Sequence, residues 1–292
     1  MAELIQWLAF AVERAQRMFL GPRFLWSVAS LAVFVALVEL AGERRWRLYR
    51  TRTFLTDALY FLFFTGGFYY FLFSGPLDRL IKGLVAERAP FLLLDVLGFL
   101  PDVPKAIVFI ALIDGFEYLA HRLYHRYDWL WCFHCIHHSP ERLTPLSKFR
   151  VHFMDMTLFG TLKAVPMLVL GSLGVNWMPF LPLMFLQVFS HFDLDVHYGP
   201  ILGRILVSPR YHRVHHSADP AQNSRNFGII FSFWDYLFGT AAADLSKPKA
   251  YGNREVQVPD DFFRQLFFPF LLLARRAGRA PRPSRALSPA QP

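Results

Sequence analysis

The chain has 292 residues, 54% of them hydrophobic and 32 of them Phe, with mean hydropathy +0.29 and a formal net charge of +9. That apolar excess argues against an ordinary soluble domain and suits a polytopic membrane protein. The positive balance does not point to nucleic acid, because no basic face interleaved with stacking aromatics occurs in a soluble stretch.

The N-terminal M-A-E-L-I-Q-W-L-A-F lacks a basic leader and a small-residue cleavage site, so it reads as an interfacial helix rather than a cleavable signal. Apolar runs follow at Phe24–Ala41, at Phe54–Phe73, inside Phe91–Leu119, and twice within Thr157–Val188. Each approaches the ~20 residues that cross a bilayer core. The last region is interrupted by Pro166, Gly171, Gly174, Pro179 and Pro182, which predicts two helices joined near Gly174–Trp177. The expected fold is all-α: a polytopic membrane protein of about four to five transmembrane helices with a cytoplasmic, histidine-rich helical cap. Three regions are expected, an N-terminal membrane region (1–105) of two spans plus interfacial segments, a histidine-bearing domain (106–243), and a C-terminal interfacial segment with a basic disordered tail (244–292).

Arginines set the orientation. Arg44, Arg45, Arg47, Arg50 and Arg52 follow the first run closely, and Arg275, Arg276, Arg279, Arg282 and Arg285 decorate a Pro- and Ala-rich tail. The positive-inside rule places both groups in the cytoplasm and the N-terminus on the opposite side. Counting spans from there brings every histidine to the cytoplasmic face.

All eleven histidines lie between His121 and His216. Most fall in H-R-L-Y-H (His121, His125), H-C-I-H-H (His134, His137, His138) and H-R-V-H-H (His212, His215, His216). Residues three and four apart share a helix face, so each cluster can present its imidazoles together. Eight imidazoles exceed what one ion accepts, four for tetrahedral zinc or six for octahedral iron, so two ions are expected. Asp114 and Glu117 share the face of His121 and His125 and are expected to hold the second ring nitrogen of a ligand histidine. His191, at the end of a span, joins the set by topology. His152, His197 and Asp195 are further candidates. Cys132 and Cys135 read as small packed residues, since the C-x-x-C pair lies inside a histidine cluster without a thioredoxin-like context.

From Ile107 to Thr240 the sequence resembles the fatty acid hydroxylase/sterol desaturase superfamily. The resemblance is carried by D-G-F-E-Y-L-A-H-R-L-Y-H (Asp114–His125), L-W-C-F-H-C-I-H-H-S (Leu130–Ser139), R-V-H-F-M-D (Arg150–Asp155), S-P-R-Y-H-R-V-H-H-S (Ser208–Ser217) and N-F-G-I-I-F-S-F-W-D-Y-L-F-G-T (Asn226–Thr240). It implies a helical membrane fold housing two iron ions and O2-dependent hydroxylation or desaturation of a lipid, such as a sterol, a fatty acyl chain or an isoprenoid or ether lipid. By position it implies His121, His125, His134, His137, His138, His191, His212, His215 and His216 as metal ligands, with Asn226 and Asp235 as supporting polar residues. The chain departs from the family pattern at Phe153 (usually Pro), Asp155 (usually Glu) and Asp193 (usually Asn), and Asp195 stands where some members use another histidine.

An unactivated C–H bond needs an oxidant stronger than any side chain, so the histidines are expected to bind metal rather than act as general bases. Two iron ions are expected, and zinc can load an iron site in isolated protein. No G-x-G-x-x-G follows a strand and no C-x-x-C-H occurs, so a separate ferredoxin- or cytochrome-like donor is expected to dock on the basic cytoplasmic face. The rivals are weaker. A membrane zinc hydrolase lacks its H-E-x-x-H, because Arg122 and Arg213 follow His121 and His212. A metal transporter, or a non-catalytic lipid-binding protein, would place its ligands at the bilayer midplane or lose them.

Overall fold

The computed structural model describes residues 48–144, 146–170 and 181–277, with isolated positions between 12 and 36. The N-terminal interfacial helix, most of Phe24–Ala41, Arg44, Arg45, Arg47, the Gly174–Trp177 turn, and Arg279, Arg282 and Arg285 lie outside the described residues.

The architecture is helical, with no strand among the described residues and three isolated bridges. Helix α1 (Arg52–Thr65) starts where the Thr51 hydroxyl accepts from the Phe54 amide at 3.2 Å. The expected single span Phe54–Phe73 is broken after it. Gly67 takes φ +85°, a π-helical turn spans Tyr70–Ser74, and α2 (Gly75–Arg88) follows with Pro76 in its first turn. The two parts, Arg52–Thr65 and Tyr70–Arg88, bend by 43°. By length and composition that bent pair passes as a broken span; no single described helix is long and apolar enough to cross a membrane.

The third expected span is also shifted. Pro90–Leu92 forms a 3-10 turn, and the helix proper, α3 (Asp102–Arg126), begins after Pro101 and runs past Leu119. Its 25 residues extend about 37 Å. One face is exposed and apolar (Val103, Ile107, Leu112, Phe116, Leu119, Leu123), while the other buries Lys105, Asp114, His121 and His125. Those inner charges lower the hydropathy of α3 and mark it as a two-sided element.

A short corner at Tyr127 leads into α4 (Asp128–His134). Then come α5 (Phe153–Val169), α6 (Leu181–Phe189), α7 (Gly199–Leu202), α8 (Pro209–His215), α9 (Pro220–Asn223), α10 (Phe233–Leu237) and α11 (Phe262–Ala277). Two apolar clusters tie them together. Leu97, Ala106, Phe109 and Ile110 pack with Ile230, fastening α3 to the segment before α10. Tyr60, Ile136 and Phe262 join α1, the second histidine cluster and α11. In α11, Phe263, Phe267 and Leu271 form an exposed stripe four residues apart, ahead of Arg275 and Arg276.

Candidate metal centre

Three chain segments end where histidines are needed. α3 carries His121 and His125 in its last turns, and α4 ends on His134. The chain continues past α4 as a tight turn in which the His137 and His138 amides both donate to His134 O, so the second cluster straddles a helix end. α8 is started by the Ser208 hydroxyl, which accepts from Tyr211 N at 3.2 Å, and by Pro209 at its first position. That start sets His212 and His215 inside the helix and His216 at its C-cap.

Among the described residues, two groups of ligand atoms result, each lying within 4.8 Å of one another: His121, His125, His134, His138 and His215, and then His137, His191, His212 and His216. All nine are buried. Burial first, and then the neighbouring imidazoles, holds His137, His138, His212, His215 and His216 well below the usual histidine range. Burial, with the Lys148 charge, pushes His191 down to about 3. Neutral imidazole is the form that binds metal.

The tautomers follow from hydrogen bonds at the outer nitrogens. His121 Nδ1 donates to Phe227 O at 2.8 Å, and His134 Nδ1 to Asp155 Oδ2 at 2.7 Å. A neutral ring has one N–H; held at Nδ1, that proton would leave a bare lone pair at Nε2, and the two Nε2 atoms lie 3.0 Å apart. The second group repeats the arrangement. His137 Nδ1 donates to Arg150 O at 3.2 Å and His191 Nδ1 to Gln187 O at 2.8 Å, leaving their Nε2 atoms 3.4 Å apart. His215 Nδ1 donates to Arg225 O at 2.8 Å, and its buried Nε2 has no hydrogen-bond partner.

Opposed lone pairs repel unless a cation lies between them. Two nitrogens each about 2.1 Å from one ion sit about 3.0 Å apart at a right angle and about 3.4 Å apart at a tetrahedral one. The Nε2 pairs of His125 with His138, His191 with His212 and His212 with His216 measure 3.1, 3.1 and 3.0 Å, in the same range. Both groups are therefore able to bind a metal ion.

The other expected residues lie elsewhere. Asp114 does not reach a ring nitrogen; its oxygens accept from Ile230 N at 2.9 Å and Phe231 N at 3.1 Å and pin the loop before α10. Glu117 is taken by Lys163 of α5. Asp195 is exposed and pairs with Arg210 and Arg213. His197 accepts from the Gly199 amide, and His152 Nε2 donates to Leu266 O at 3.0 Å, which couples it to α11. Neither joins a histidine group.

Asn226 and Asp235 build the support under His121. Asn226 stands at φ +58° and ties Tyr211 O to Ala242 N through its side-chain amide. Asp235 accepts from Phe227 N at 2.8 Å, Gly228 N at 2.7 Å and the Thr240 hydroxyl at 2.6 Å. Together they fix the Phe227 carbonyl that receives His121.

Sequence reasoning passed over Asp155 as the partner of His134, although its position in R-V-H-F-M-D had marked it. It also passed over Asp57. That buried carboxylate accepts from Arg150 Nε at 2.5 Å, the Thr144 hydroxyl at 2.6 Å and the Ser147 hydroxyl at 2.9 Å, so it secures the residue whose carbonyl holds His137. The carbonyls of Arg150, Gln187, Arg225 and Phe227 carry no side-chain signal at all. Both cysteines are buried thiols, not joined in a disulfide.

Residues 106–240 match the family described as fatty acid hydroxylase. An ornithine lipid hydroxylase, OlsE, from Rhizobium tropici is 30% identical over 262 residues, covering 87% of this chain and 76% of its own. An alkylglycerol monooxygenase from Caenorhabditis elegans is 27% identical over 236 residues (74% and 45%). A very-long-chain aldehyde decarbonylase, GL1-1, from Oryza sativa subsp. indica is 26% identical over 189 residues (57% and 30%). The chain thus spans less than half the length of the last two. No solved structure gives a significant match.

Proposed function

The chain belongs to the fatty acid hydroxylase family, and from that premise we propose that it is a membrane-bound, O2-dependent di-iron enzyme that hydroxylates or desaturates a lipid. The observation that carries this is the division of nine buried imidazoles into a group of five and a group of four. An octahedral ion would keep one open position in the first group and two in the second. A catalytic zinc keeps three protein ligands and a water, which fits neither group and weighs against the hydrolase alternative. Two relatives are named as a hydroxylase and a monooxygenase acting on an ornithine lipid and an alkylglycerol, in line with a lipid substrate.

Iron bound there supplies O2 reduction and C–H oxidation, chemistry that no side chain performs. The chain's own part is to hold and to exclude. Asp155, Phe227 O, Arg150 O, Gln187 O and Arg225 O fix ring orientations. The buried rings of Trp131, Tyr124 and Phe227 surround the first group and keep water out. The apolar outer face of α3 and the bent α1–α2 pair support a membrane setting from which a lipid is presented. Electrons come from a separate donor.

Full-length protein loaded with Fe(II) and assayed with O2, a reductant and a lipid extract tests the proposal. It is expected to hold about two irons per chain and to form an oxidised lipid only with O2. Full activity at one metal per chain, or O2-independent turnover, refutes it.

A further inference from the structure

An open cleft of about 1290 Å³ lies between the start of α1, the turn after the second histidine cluster and the loop 247–260. Six exposed cations line it; Lys247 and Arg264 have carboxylate partners, in Asp193 and Asp261, and the other four are Arg52, Arg142, Lys249 and Arg254. None of these four has an ion-pair or hydrogen-bonding side-chain partner among the described residues. Glu141 and Asp260 oppose them on the rim, and Lys247 is neutralised by Asp193 at 2.9 Å.

The wall of this cleft is fastened to the histidine groups. Ser139 follows His138 directly. Tyr251 bridges Ser217, next to His216, and its hydroxyl donates to Asp193 at 2.7 Å, two residues past His191. Ala218 N donates to Ala250 O at 2.9 Å. Gly252 turns the loop at φ +100° against Glu141, a conformation that L side chains rarely adopt. A body seated in the cleft therefore touches segments one or two residues from ligands of both groups.

We propose that this cleft docks the acidic face of a small one-electron carrier protein of the iron–sulfur or haem class. The proposal rests on the function given above. Hydroxylation consumes a C–H bond, O2, two electrons and two protons and yields C–OH and water, so two reduced carriers are oxidised per turnover. The sequence has no nicotinamide, flavin or c-type haem motif to supply them. Charged and polar side chains outnumber the apolar ones in the lining, which favours a protein surface over a lipid tail. Complementary charge speeds and orients such encounters and makes them salt-dependent.

The test uses the full chain in phosphatidylcholine nanodiscs, with reduced acidic [2Fe–2S] ferredoxin and an acidic soluble cytochrome b as probes. At least one probe is expected to bind, more weakly as salt rises. Arg142→Glu with Arg254→Glu should weaken it by roughly tenfold or more, whereas Arg79→Glu with Arg88→Glu on α2 should not. Metal content is read alongside, and if it falls, Lys249→Gln with Arg254→Gln replaces the first pair. Absence of binding by both probes, or equal weakening by the α2 pair, overturns the proposal. So does displacement by millimolar glycerol phosphate, which would make the cleft a headgroup site. Binding is measured without turnover, so loss of the di-iron function would show separately, as wild-type protein that forms no product with dithionite.

Discussion

His137 and His138 are neighbours in the chain but serve different groups: His138 Nε2 lies 3.1 Å from His125 Nε2, and His137 Nε2 lies 3.4 Å from His191 Nε2. The third cluster splits in the same way. In each H-x-x-H-H, the residues four apart stay together (His134 with His138, His212 with His216), and the middle histidine crosses to the other group. Each cluster thus ties the two groups to one another.

This split predicts separable metal losses. His137→Ala removes one donor from the group of four, and His215→Ala one from the group of five. Each should lower bound iron from about two toward about one and abolish O2-dependent product. Metal analysis of the two variants, with His197→Ala as a control that keeps both irons, checks this.

Asp155→Ala should weaken metal at the five-histidine group by about 10- to 100-fold, because His134 loses the acceptor that fixes its tautomer. Asp155→Asn keeps an acceptor oxygen and should lose less. Competition with a chelator measures both.

Asp57→Ala leaves the buried Arg150 guanidinium without its carboxylate. Removing one partner of such a pair costs about 3–5 kcal/mol, so the melting temperature should drop markedly. Because Arg150 O holds His137, the four-histidine group should also lose metal before the other. A variant that melts early but keeps both metals equally would show that Asp57 supports only the fold.

His152, which lies outside both histidine groups, contributes to acid sensitivity. Burial pushes it down to about 4, against roughly 6.5 in the unfolded chain. The folded state then resists a proton that the unfolded state accepts. Stability from this residue is intact above pH ~6.5 and is lost progressively as pH falls toward ~4, by roughly 3 kcal/mol in full. His152→Gln, which can still donate to Leu266 O, should retain both metals and lose less melting temperature between pH 7 and pH 5 than wild type.

Much of the centre was legible in the sequence because helical spacing is local. His121 with His125, and each triplet, follow from the i, i+3 and i+4 geometry of one helix. Asp114 and Glu117 show where such reasoning stops. Both share the face of His121, as expected, but that face also meets α5 and the loop before α10, and Lys163 and the Ile230 and Phe231 amides take the carboxylates first. Asp57 was invisible for a related reason, since its role depends on a contact with Arg150 that is 93 residues away.

By itself the sequence determined which residues hold imidazoles, that they exceed one ion's needs, and which family the chain resembles, because motif identity and helix period are properties of short segments. The tertiary structure alone decided the five-and-four division, the break of α1 from α2 at Gly66–Gly67, and the carbonyl and carboxylate partners that fix each ring. Those depend on how separate segments meet. No spacing along the chain records that His215 faces His121 while His137 faces His191.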